Sequence, residues 1–340
     1  MKAMVLTAPG ELVLNEVAQP RLDTSRVLVR VTHSGVCGTD FKIYSGAIPV
    51  RHPLIMGHEM AGEVVESDAD ALRPGDRVII DPELYCGVCF YCRAGQTNLC
   101  PSGILLGRDA DGGFAEYVVA PQSHVFPLSD EVDSQTAPLI QVLTTCLHAQ
   151  RQVDIFPGES VVIVGLGVTG QVHLQLAKAR GAYPVIGIEP NAWRREVAEK
   201  LGADVALPPG EASIHSVLQA TNGRGADLII EATGIGPAIA EGIAMARLGA
   251  RLLLFGITTA TEVRLPFYQL YFKELTLFSS RAAKSEDFPA SIDLVGRGVV
   301  QLKPLVSDVM PLGELKTAIG MLGSDSAQRM KIILEHGINQ

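Results

Sequence analysis

Four cysteines lie close together in the stretch CGVCFYCRAGQTNLC, and their spacing is typical of a metal site. Cys86, Cys89 and Cys92 follow one another at Cys-x2-Cys intervals, and Cys100 comes after seven further residues. A loop with this spacing can present four thiolates tetrahedrally to zinc at about 2.3 Å, with no position left for water. Disulfides or buried free thiols are the alternatives, but the opening MKAMVLTAPG lacks the features of a secretory signal. The spacing therefore predicts a structural zinc site.

A second set of metal-ligating residue types occurs earlier in the chain. Cys37 lies in GVCGTD, and His58 and Glu59 are adjacent in MGHEMAG. A thiolate, an imidazole and a carboxylate suit a catalytic zinc that keeps one position open for water or substrate. Asp40 could accept the proton on the second ring nitrogen of His58 and fix its tautomer. Taken singly, a cysteine is more often a small buried residue and a histidine a hydrogen-bonded one, so these residues alone leave the site open.

The stretch from Gly165 to Gly170, GLGVTG, directly follows the apolar run VVIV and begins a helical segment. In such a turn Gly165 permits the tight bend, Gly167 lets the backbone approach a pyrophosphate, and Gly170 lets the helix pack close to the strand. Glu189 ends the next predicted strand, where a carboxylate can accept hydrogen bonds from the adenosine ribose hydroxyls. This combination predicts a dinucleotide site.

The choice between NAD and NADP depends on the groups beside that ribose. The carboxylate of Glu189 would repel a 2′-phosphate, which favours NAD. Arg194 and Arg195 follow closely and weaken this preference, although a solvated helix face is the alternative explanation for both. We expect NAD to be the cofactor.

Length and composition limit the possible classes of protein. The 340-residue chain is longer than a typical single domain, which predicts two domains. Its hydrophobic content of 47% is enough for sizeable cores, and its net charge of −9 argues against nucleic acid as a partner. No apolar run approaches the roughly 20 residues of a membrane span. We therefore expect a soluble, cytoplasmic protein without a nucleic-acid or membrane partner.

The pattern of predicted elements changes near the middle of the chain. Residues 1–145 contain short β-type runs separated by turns, such as RVLVRVTHSG and DRVII, which indicates an irregular β-barrel domain. From residue 161, apolar runs alternate with helical stretches, and such alternation indicates a parallel, doubly wound sheet. After about residue 283 the pattern is mixed, so the chain is expected to return to the first domain. The predicted fold class is α/β.

These motifs together resemble the zinc-dependent medium-chain dehydrogenase family, in the branch that contains sorbitol and threonine dehydrogenases. The matching stretches are GVCGTD, GHEMAGEVV, RPGDRV, the four-cysteine lobe, DGGFAEYVV, PGESVVIVGLGVTG and RMKIIL. The resemblance implies a GroES-like β-barrel catalytic domain formed by residues 1–147 and 283–340, and a Rossmann domain formed by residues 148–282. It implies two zinc ions per chain and a nicotinamide cofactor. The residues that it implies hold the catalytic zinc are Cys37, His58 and Glu59.

The resemblance also implies roles for single residues. Thr39 matches the family's proton-relay hydroxyl, for which a local backbone hydrogen bond is the alternative. Lys331 matches a basic residue near the pyrophosphate or the zinc-side glutamate, and an exposed strand lysine is the alternative. Cys146 lies in a helical context that favours a buried thiol over a metal ligand. The residues that match dinucleotide contacts are Thr169, Arg194, Phe255, Gly256, Ile257, Ser279 and Ser280.

Three places depart from the family pattern. Gln141 stands where many relatives carry a glutamate that reaches the zinc, so the metal would be more acidic or Glu59 would do more of the coordination. Lys42 replaces a histidine at the outer end of the proton relay, and it could relay protons, bind an anionic substrate group or be a surface lysine. Arg51 and His52 lie near the expected mouth of the cleft, and if Arg51 and Lys42 both face the pocket, a carboxylated or phosphorylated sugar alcohol becomes a candidate substrate.

The predicted function is hydride transfer between NAD and a secondary alcohol, polyol or sugar-derived substrate, with zinc as Lewis acid. A zinc-free, NADPH-dependent reductase of the same fold is one alternative, against which the cysteine lobe and the GHE element argue. A non-catalytic or regulatory dinucleotide-binding relative is another, since fold does not fix function. Relatives commonly form dimers or tetramers through their Rossmann domains, and the segment GARLLLFGI could supply an edge strand. We expect a homodimer or homotetramer.

Overall fold

The structure is a computed structural model that describes residues 1–68, 71–258, 260, 262–322 and 328–337. Its strands are β1 (Lys2–Ala8), β2 (Glu11–Glu16), β3 (Arg26–Val36), β4 (Leu54–Ile55), β5 (Glu59–Ser67), β6 (Arg77–Ile80), β7 (Glu83–Leu84), β8 (Ile104–Leu105), β9 (Tyr117–Pro121), β10 (Val125–Pro127), β11 (Val161–Val164), β12 (Val185–Ile188), β13 (Val205–Leu207), β14 (Ala226–Glu231), β15 (Ala246–Leu254), β16 (Thr276–Ser279), β17 (Val306–Pro311) and β18 (Lys331–Glu335). Its helices are α1 (Gly38–Tyr44), α2 (Phe90–Arg93), α3 (Leu139–Gln150), α4 (Val168–Ala179), α5 (Ala192–Lys200), α6 (Glu211–Ala220), α7 (Gly236–Met245), α8 (Phe267–Phe272), α9 (Phe288–Gly296) and α10 (Leu315–Leu322).

The chain divides into two compact units. Unit 1 comprises Met1–Thr144, Ala283–Gly298 and Leu305–Gln340, and unit 2 comprises Thr145–Ala282 and Val299–Pro304. The sequence assigns residues 299–304 to the first domain, whereas they pack with unit 2. Two hydrogen bonds hold this segment against α4. The side-chain oxygen of Gln175 accepts from the backbone N–H of Gln301 at 2.7 Å, and its side-chain nitrogen donates to the backbone carbonyl of Gln301 at 3.2 Å.

Unit 1 is built on antiparallel strand pairs, with the parallel pair β17 and β18 as the exception among the described residues. Its largest sheet has the order β10-β6-β5-β3-β18-β17, and β9 also pairs with β3. The long strand β3 lies at the centre because one edge pairs with β5 while the other pairs first with β9 and then with β18. Every apolar position of its run RVLVRV is buried, as expected for a strand covered on both faces. The β-rich first domain agrees with the sequence pattern.

The ends of three of these strands converge at one place in unit 1. Gly35, near the end of β3, is the register partner of Glu59, the first residue of β5. On the other edge, Val36 of β3 is the partner of Ile332 in β18, which follows Lys331. This register brings residues that are far apart in the sequence to the point where β3 leads into α1.

Unit 2 contains a six-stranded parallel sheet with the order β13-β12-β11-β14-β15-β16. The run VVIV of β11 is fully buried near the centre, and the predicted parallel, doubly wound sheet is confirmed. The prediction that GARLLLFGI supplies an edge strand is wrong, because β15 is paired with β14 on one side and β16 on the other. The edge on that side is β16. No helix in the described ranges is long and apolar enough to cross a bilayer.

Candidate metal centres and cofactor site

The cysteine lobe gathers its four sulfur atoms into one cluster. Cys86 Sγ lies 3.9 Å from Cys92 Sγ, and Cys89 Sγ lies 3.9 Å from Cys100 Sγ. The corners of a tetrahedron around zinc with bonds of about 2.3 Å are about 3.8 Å apart, so this spacing fits a zinc ion. It is nearly twice the roughly 2.05 Å of a disulfide bond, and all four cysteines are free. The lobe could hold a metal with every coordination position taken by sulfur.

Local backbone structure places these sulfur atoms. Cys89 precedes α2 and its Sγ accepts the N–H of Cys92 at 3.4 Å, so the same residue caps the helix and joins the cluster. The N–H of Cys86 points to Cys100 Sγ at 3.5 Å. Gly87 has a positive φ of 72°, which lets the chain turn back between the first two cysteines.

Cys37, His58 and Glu59 form a second cluster, in unit 1, with their ligand atoms within 4.8 Å of one another. Cys37 lies at the N-terminus of α1, and Glu59 begins β5. His58 and Glu59 are buried, whereas Cys37 is half-buried. Three protein donors of this kind could hold a zinc ion and leave a position open for a further ligand.

Asp40 supports this cluster from the first turn of α1. Its Oδ2 accepts the backbone N–H of Cys37 at 2.8 Å, while its Oδ1 lies 3.6 Å from His58 Nδ1. That separation exceeds a hydrogen bond, and both atoms are buried without a hydrogen-bond partner among the described residues. A metal on Nε2 of His58 would leave an Nδ1–H directed at Asp40, so the pair fits the orienting role predicted from the sequence. Burial lowers the pKa of His58, but the Asp40 charge and the thiol of Cys37 outweigh it and hold that pKa well above its usual value.

Lys331 lies against the carboxylate of Glu59. Its Nζ donates to Glu59 Oε1 at 2.7 Å, contacts Oε2 as well, and reaches the carbonyl of Val36 at 3.3 Å. Lys331 is only 3% exposed, so the alternative of an exposed strand lysine is wrong. Burial lowers the pKa of Lys331, but the negative charge of Glu59, with those of Cys37 and Asp40, outweighs it and raises that pKa above its ordinary value. The partner of this lysine in unit 1 is the glutamate of the cluster.

The other residues predicted to act at this centre lie in the same unit of the chain. Thr39 is half-buried in the first turn of α1, and Lys42 is half-buried in its last turn. Gln141 is buried on α3, and Arg51 is exposed. The ring of His52 lies 3.4 Å from a backbone carbonyl of β1. The predicted roles of these five residues in proton relay, metal binding and substrate choice stay predictions.

The Gly-rich turn of unit 2 connects β11 to α4. A Cβ on Gly170 would overlap the carbonyl oxygen of Gly165, so only glycine allows this close packing. A Cβ on Gly167 would meet nothing within 4 Å, which leaves open space beside the start of α4. No side chain of the described residues caps this helix, so its first N–H groups are available to an anion. The turn therefore fits a pyrophosphate.

Glu189 follows β12 and is held in place by backbone N–H groups. Its Oε2 accepts from Leu166 at 2.9 Å and its Oε1 accepts from Asn191 at 3.1 Å. Arg195 donates to two backbone carbonyls at 2.7 Å, one of them that of Glu189, and Arg194 comes within 3.9 Å of the carboxylate. A fixed carboxylate with lone pairs left over can accept hydrogen bonds from ribose hydroxyls.

The remaining residues predicted to contact the cofactor lie near the carboxyl ends of β15 and β16 and at the start of α4. Phe255 packs edge-on against the ring of His173 with centroids 4.6 Å apart, and Ile257 is 71% exposed. Ser280 Oγ is buried and has no hydrogen-bond partner among the described residues. Cys146 is fully buried, as expected, and its Sγ lies 3.7 Å from the carbonyl of Thr169. Gly256 and Ser279 lie in the same two strand ends.

Sequence reasoning missed two residues that shape these sites. Gly35 leaves room for Glu59, because a Cβ there would overlap Oε2 of that carboxylate. Glu231 ends β14 and its Oε1 accepts the N–H groups of Thr233 at 2.6 Å and Gly234 at 2.9 Å, which fixes the turn after the strand. The only signal for Glu231 was an acidic residue at the end of the apolar run DLIIE.

Two stretches of the chain match known protein families. Residues 23–130 match the alcohol dehydrogenase GroES-like domain, and residues 168–297 match the zinc-binding dehydrogenase domain. A sorbitol dehydrogenase from Halalkalibacterium halodurans is 32% identical over 98% of this chain and 99% of its own length. An L-threonine 3-dehydrogenase from Pyrococcus horikoshii is 36% identical over 82% of each chain.

Among solved structures of similar proteins, one contains NADP and another contains NADH. A zinc-binding dehydrogenase from Sinorhizobium meliloti, bound to NADP, matches with a TM-score of 0.91 at 29% identity and covers 98% of each chain. An alcohol dehydrogenase from Escherichia coli, complexed with NADH, matches with a TM-score of 0.91 at 29% identity and covers 98% of this chain and 99% of its own. Similarity of fold therefore does not decide between the two cofactors.

Proposed function

Because the chain belongs to the zinc-type medium-chain alcohol dehydrogenase family, we propose that it transfers a hydride between NAD and a secondary alcohol, polyol or sugar-derived substrate. The observation that carries this proposal is the cluster of Cys37, His58 and Glu59. The Gly-rich turn and Glu189 supply the second requirement, a dinucleotide site in unit 2. Relatives named for sorbitol and threonine support a substrate whose reacting carbon has polar neighbours.

The residues of unit 1 have distinct roles in this proposal. Zinc held by Cys37, His58 and Glu59 supplies Lewis acidity that lowers the pKa of an alcohol. Asp40 fixes the tautomer of His58, so that Nε2 is the nitrogen offered to the metal. The hydroxyl of Thr39 takes the proton from the substrate hydroxyl and passes it outward. A second zinc, held by the four cysteines of the lobe, has no open position and stabilises the loop.

The residues of unit 2 favour NAD in this proposal. The space at Gly167 and the start of α4 receive the pyrophosphate. Glu189, already oriented by two backbone N–H groups, accepts the ribose hydroxyls and would repel a 2′-phosphate. Arg195 is engaged with backbone carbonyls, which supports the same preference.

Cofactor preference is tested by steady-state kinetics with both dinucleotides. We expect kcat/KM for NAD to exceed that for NADP by at least about tenfold, since a buried carboxylate facing a phosphate costs more than about 1.4 kcal/mol. Glu189→Gln keeps the shape but removes the charge, and it should reduce the preference. A wild-type preference for NADP would overturn the assignment of NAD.

The activity is tested by NADH formation with zinc-loaded protein and a panel of neutral polyols, sugar acids, amino alcohols and simple secondary alcohols. Cys37→Ser should abolish turnover, and Thr39→Ala should lower it by roughly 100-fold while sparing NADH binding. Activity that persists in Cys37→Ser with NADPH would instead support a zinc-free reductase. Two bound zinc ions and NADH binding without turnover on any alcohol would support a non-catalytic role.

We also infer that the protein is a homo-oligomer, a dimer or tetramer, joined through unit 2. In the described part of the chain, strand β16 has one unpaired edge, and the adjacent helix α8 exposes four aromatic residues, Phe267, Tyr268, Tyr271 and Phe272. Apolar area of this kind beside an open strand edge supports pairing with a second copy. Light scattering on wild type and Tyr271→Arg tests it, and a monomeric wild type would refute it.

A further inference from the structure

The metal cluster of unit 1 concentrates negative charge in a buried place. Glu59 is 1% exposed and Asp40 is fully buried, and the thiol of Cys37 lies beside them. Buried carboxylates are strongly destabilising unless a cation or several hydrogen bonds compensate them. Among the described residues, the compensation of Glu59 comes from a single side chain, that of Lys331.

The contacts of Lys331 are complete for an ammonium group. Its Nζ reaches both carboxylate oxygens of Glu59 and the carbonyl of Val36, which are three acceptors for three N–H donors. The position of Lys331 at the start of β18 is fixed by strand pairing with β3. Each oxygen that Glu59 could offer to a metal ion therefore already accepts a hydrogen bond from the ammonium and keeps one further lone pair.

We propose that Lys331 is a stand-in cation: it neutralises Glu59 while the site holds no metal, and it competes with zinc for that carboxylate. This inference rests on the zinc site proposed above. A zinc ion that binds Glu59 must share the carboxylate's negative charge with the ammonium and must tolerate a positive charge a few ångström away. Lys331 thus stabilises the metal-free protein and lowers the zinc affinity of this site, which eases release and exchange of the metal.

The test compares Lys331→Met and Lys331→Arg with wild type, each with zinc removed by a chelator and each zinc-loaded. In the metal-free state, Lys331→Met should lower Tm by about 6 °C or more, because an uncompensated buried carboxylate remains. The zinc-loaded variant should lose much less, because the metal takes over the compensation. Lys331→Arg keeps the charge and should stay near wild type in both states.

Zinc affinity is the second measurement, made by competition with a chromophoric chelator. We expect the weaker of the two zinc sites to bind at least about tenfold more tightly in Lys331→Met, while the cysteine lobe serves as the unchanged internal reference.

Lys273→Met is the matched control for the comparison of Tm. Its Nζ donates to three backbone carbonyls of unit 2 at 2.7 to 3.0 Å, so its loss should lower Tm equally with and without zinc.

Three results would overturn the proposal, and the first two leave the proposed function intact. Equal Tm losses in both metal states, with unchanged zinc affinity, would make Lys331 a merely structural residue. If Lys331→Met does not fold without zinc, the double variant Glu59→Gln with Lys331→Met should fold, since both charges are gone; equal damage in the double variant refutes the charge argument. A wild type that takes up zinc only in the cysteine lobe refutes both this proposal and the catalytic zinc.

Discussion

The carboxylate of Glu59 can lie beside Cys37 because the residue opposite it on β3 has no side chain. Gly35 and Glu59 are register partners, and a Cβ on Gly35 would overlap Oε2. The same oxygen contacts Lys331, so a side chain at position 35 would displace the Glu59 carboxylate and break its contact with Lys331. The arrangement of Cys37, Glu59 and Lys331 therefore requires glycine at position 35.

Gly35→Ala should therefore remove the metal site while leaving the fold in place. The added Cβ forces Glu59 to move, at a cost of about 1–3 kcal/mol of unfolding free energy. We expect bound zinc to fall from two ions per chain to one, measured by elemental analysis after exhaustive dialysis. Gly38→Ala is the control, because a Cβ there meets nothing within 4 Å and zinc content should not change. Two zinc ions in Gly35→Ala would contradict this account.

At the residue scale, the sequence predicted the types of metal donor but not the ion pair between Glu59 and Lys331. The residue types of Cys37, His58 and Glu59 suit zinc but leave the site open, the resemblance to the dehydrogenase family implies that they share a metal, and the structure brings them together. The contact between Glu59 and Lys331 spans 272 positions, and only strand pairing through β3 creates it. No local pattern in the sequence contains that information, so the partner of Lys331 stayed ambiguous until the sheet register was known.

Among the elements, the unit β11, turn and α4 follows most directly from local sequence. A buried β-branched run, three spaced glycines and a stretch of good helix formers specify strand, turn and helix without distant contacts. The order of the strands does not follow in the same way. β15 carries an apolar run suited to an edge or an interior position, and its place between β14 and β16 depends on chain connections. This is why the predicted edge was wrong.

Two glycines of that turn should separate cofactor binding from stability. Gly167→Ala places a methyl group in open space where a pyrophosphate would approach, so Tm should stay unchanged while the NADH dissociation constant rises by about tenfold or more. Gly170→Ala instead meets the carbonyl of Gly165 and should destabilise unit 2 itself. Fluorescence titration with NADH and thermal melts measure the two effects. Equal NADH affinity in wild type and Gly167→Ala would exclude this turn as the pyrophosphate site.

At the scale of the whole molecule, each unit has its own core, and each core encloses histidines that take no part in the proposed chemistry. Burial lowers the pKa of His124 to about 4 and that of His336 to about 3 in unit 1, and that of His173 to about 3 in unit 2. Nδ1 of His173 lies against the neutral side chain of Gln150, and Nε2 of both His124 and His173 is buried without a hydrogen-bond partner among the described residues. Composition and motifs gave no sign of this, because burial of a histidine depends on packing from several elements.

These histidines should make the protein sensitive to mild acid. In the unfolded chain each binds a proton below a pKa of about 6.5, whereas the folded protein excludes that proton until pH approaches 3 to 4, so the stability that these three histidines contribute falls as pH drops from about 6.5 towards 4. Each fully titrating histidine contributes about 1.4 kcal/mol per pH unit in that window.

The variant His173→Gln removes one of these histidines. The free energy of unfolding, measured by urea denaturation between pH 7.5 and 5.5, should therefore depend less steeply on pH than in wild type. His215→Gln, at an exposed position, is the control and should leave the slope unchanged. Parallel curves for wild type and His173→Gln would mean that His173 is protonated in the folded protein, against the effect of its burial.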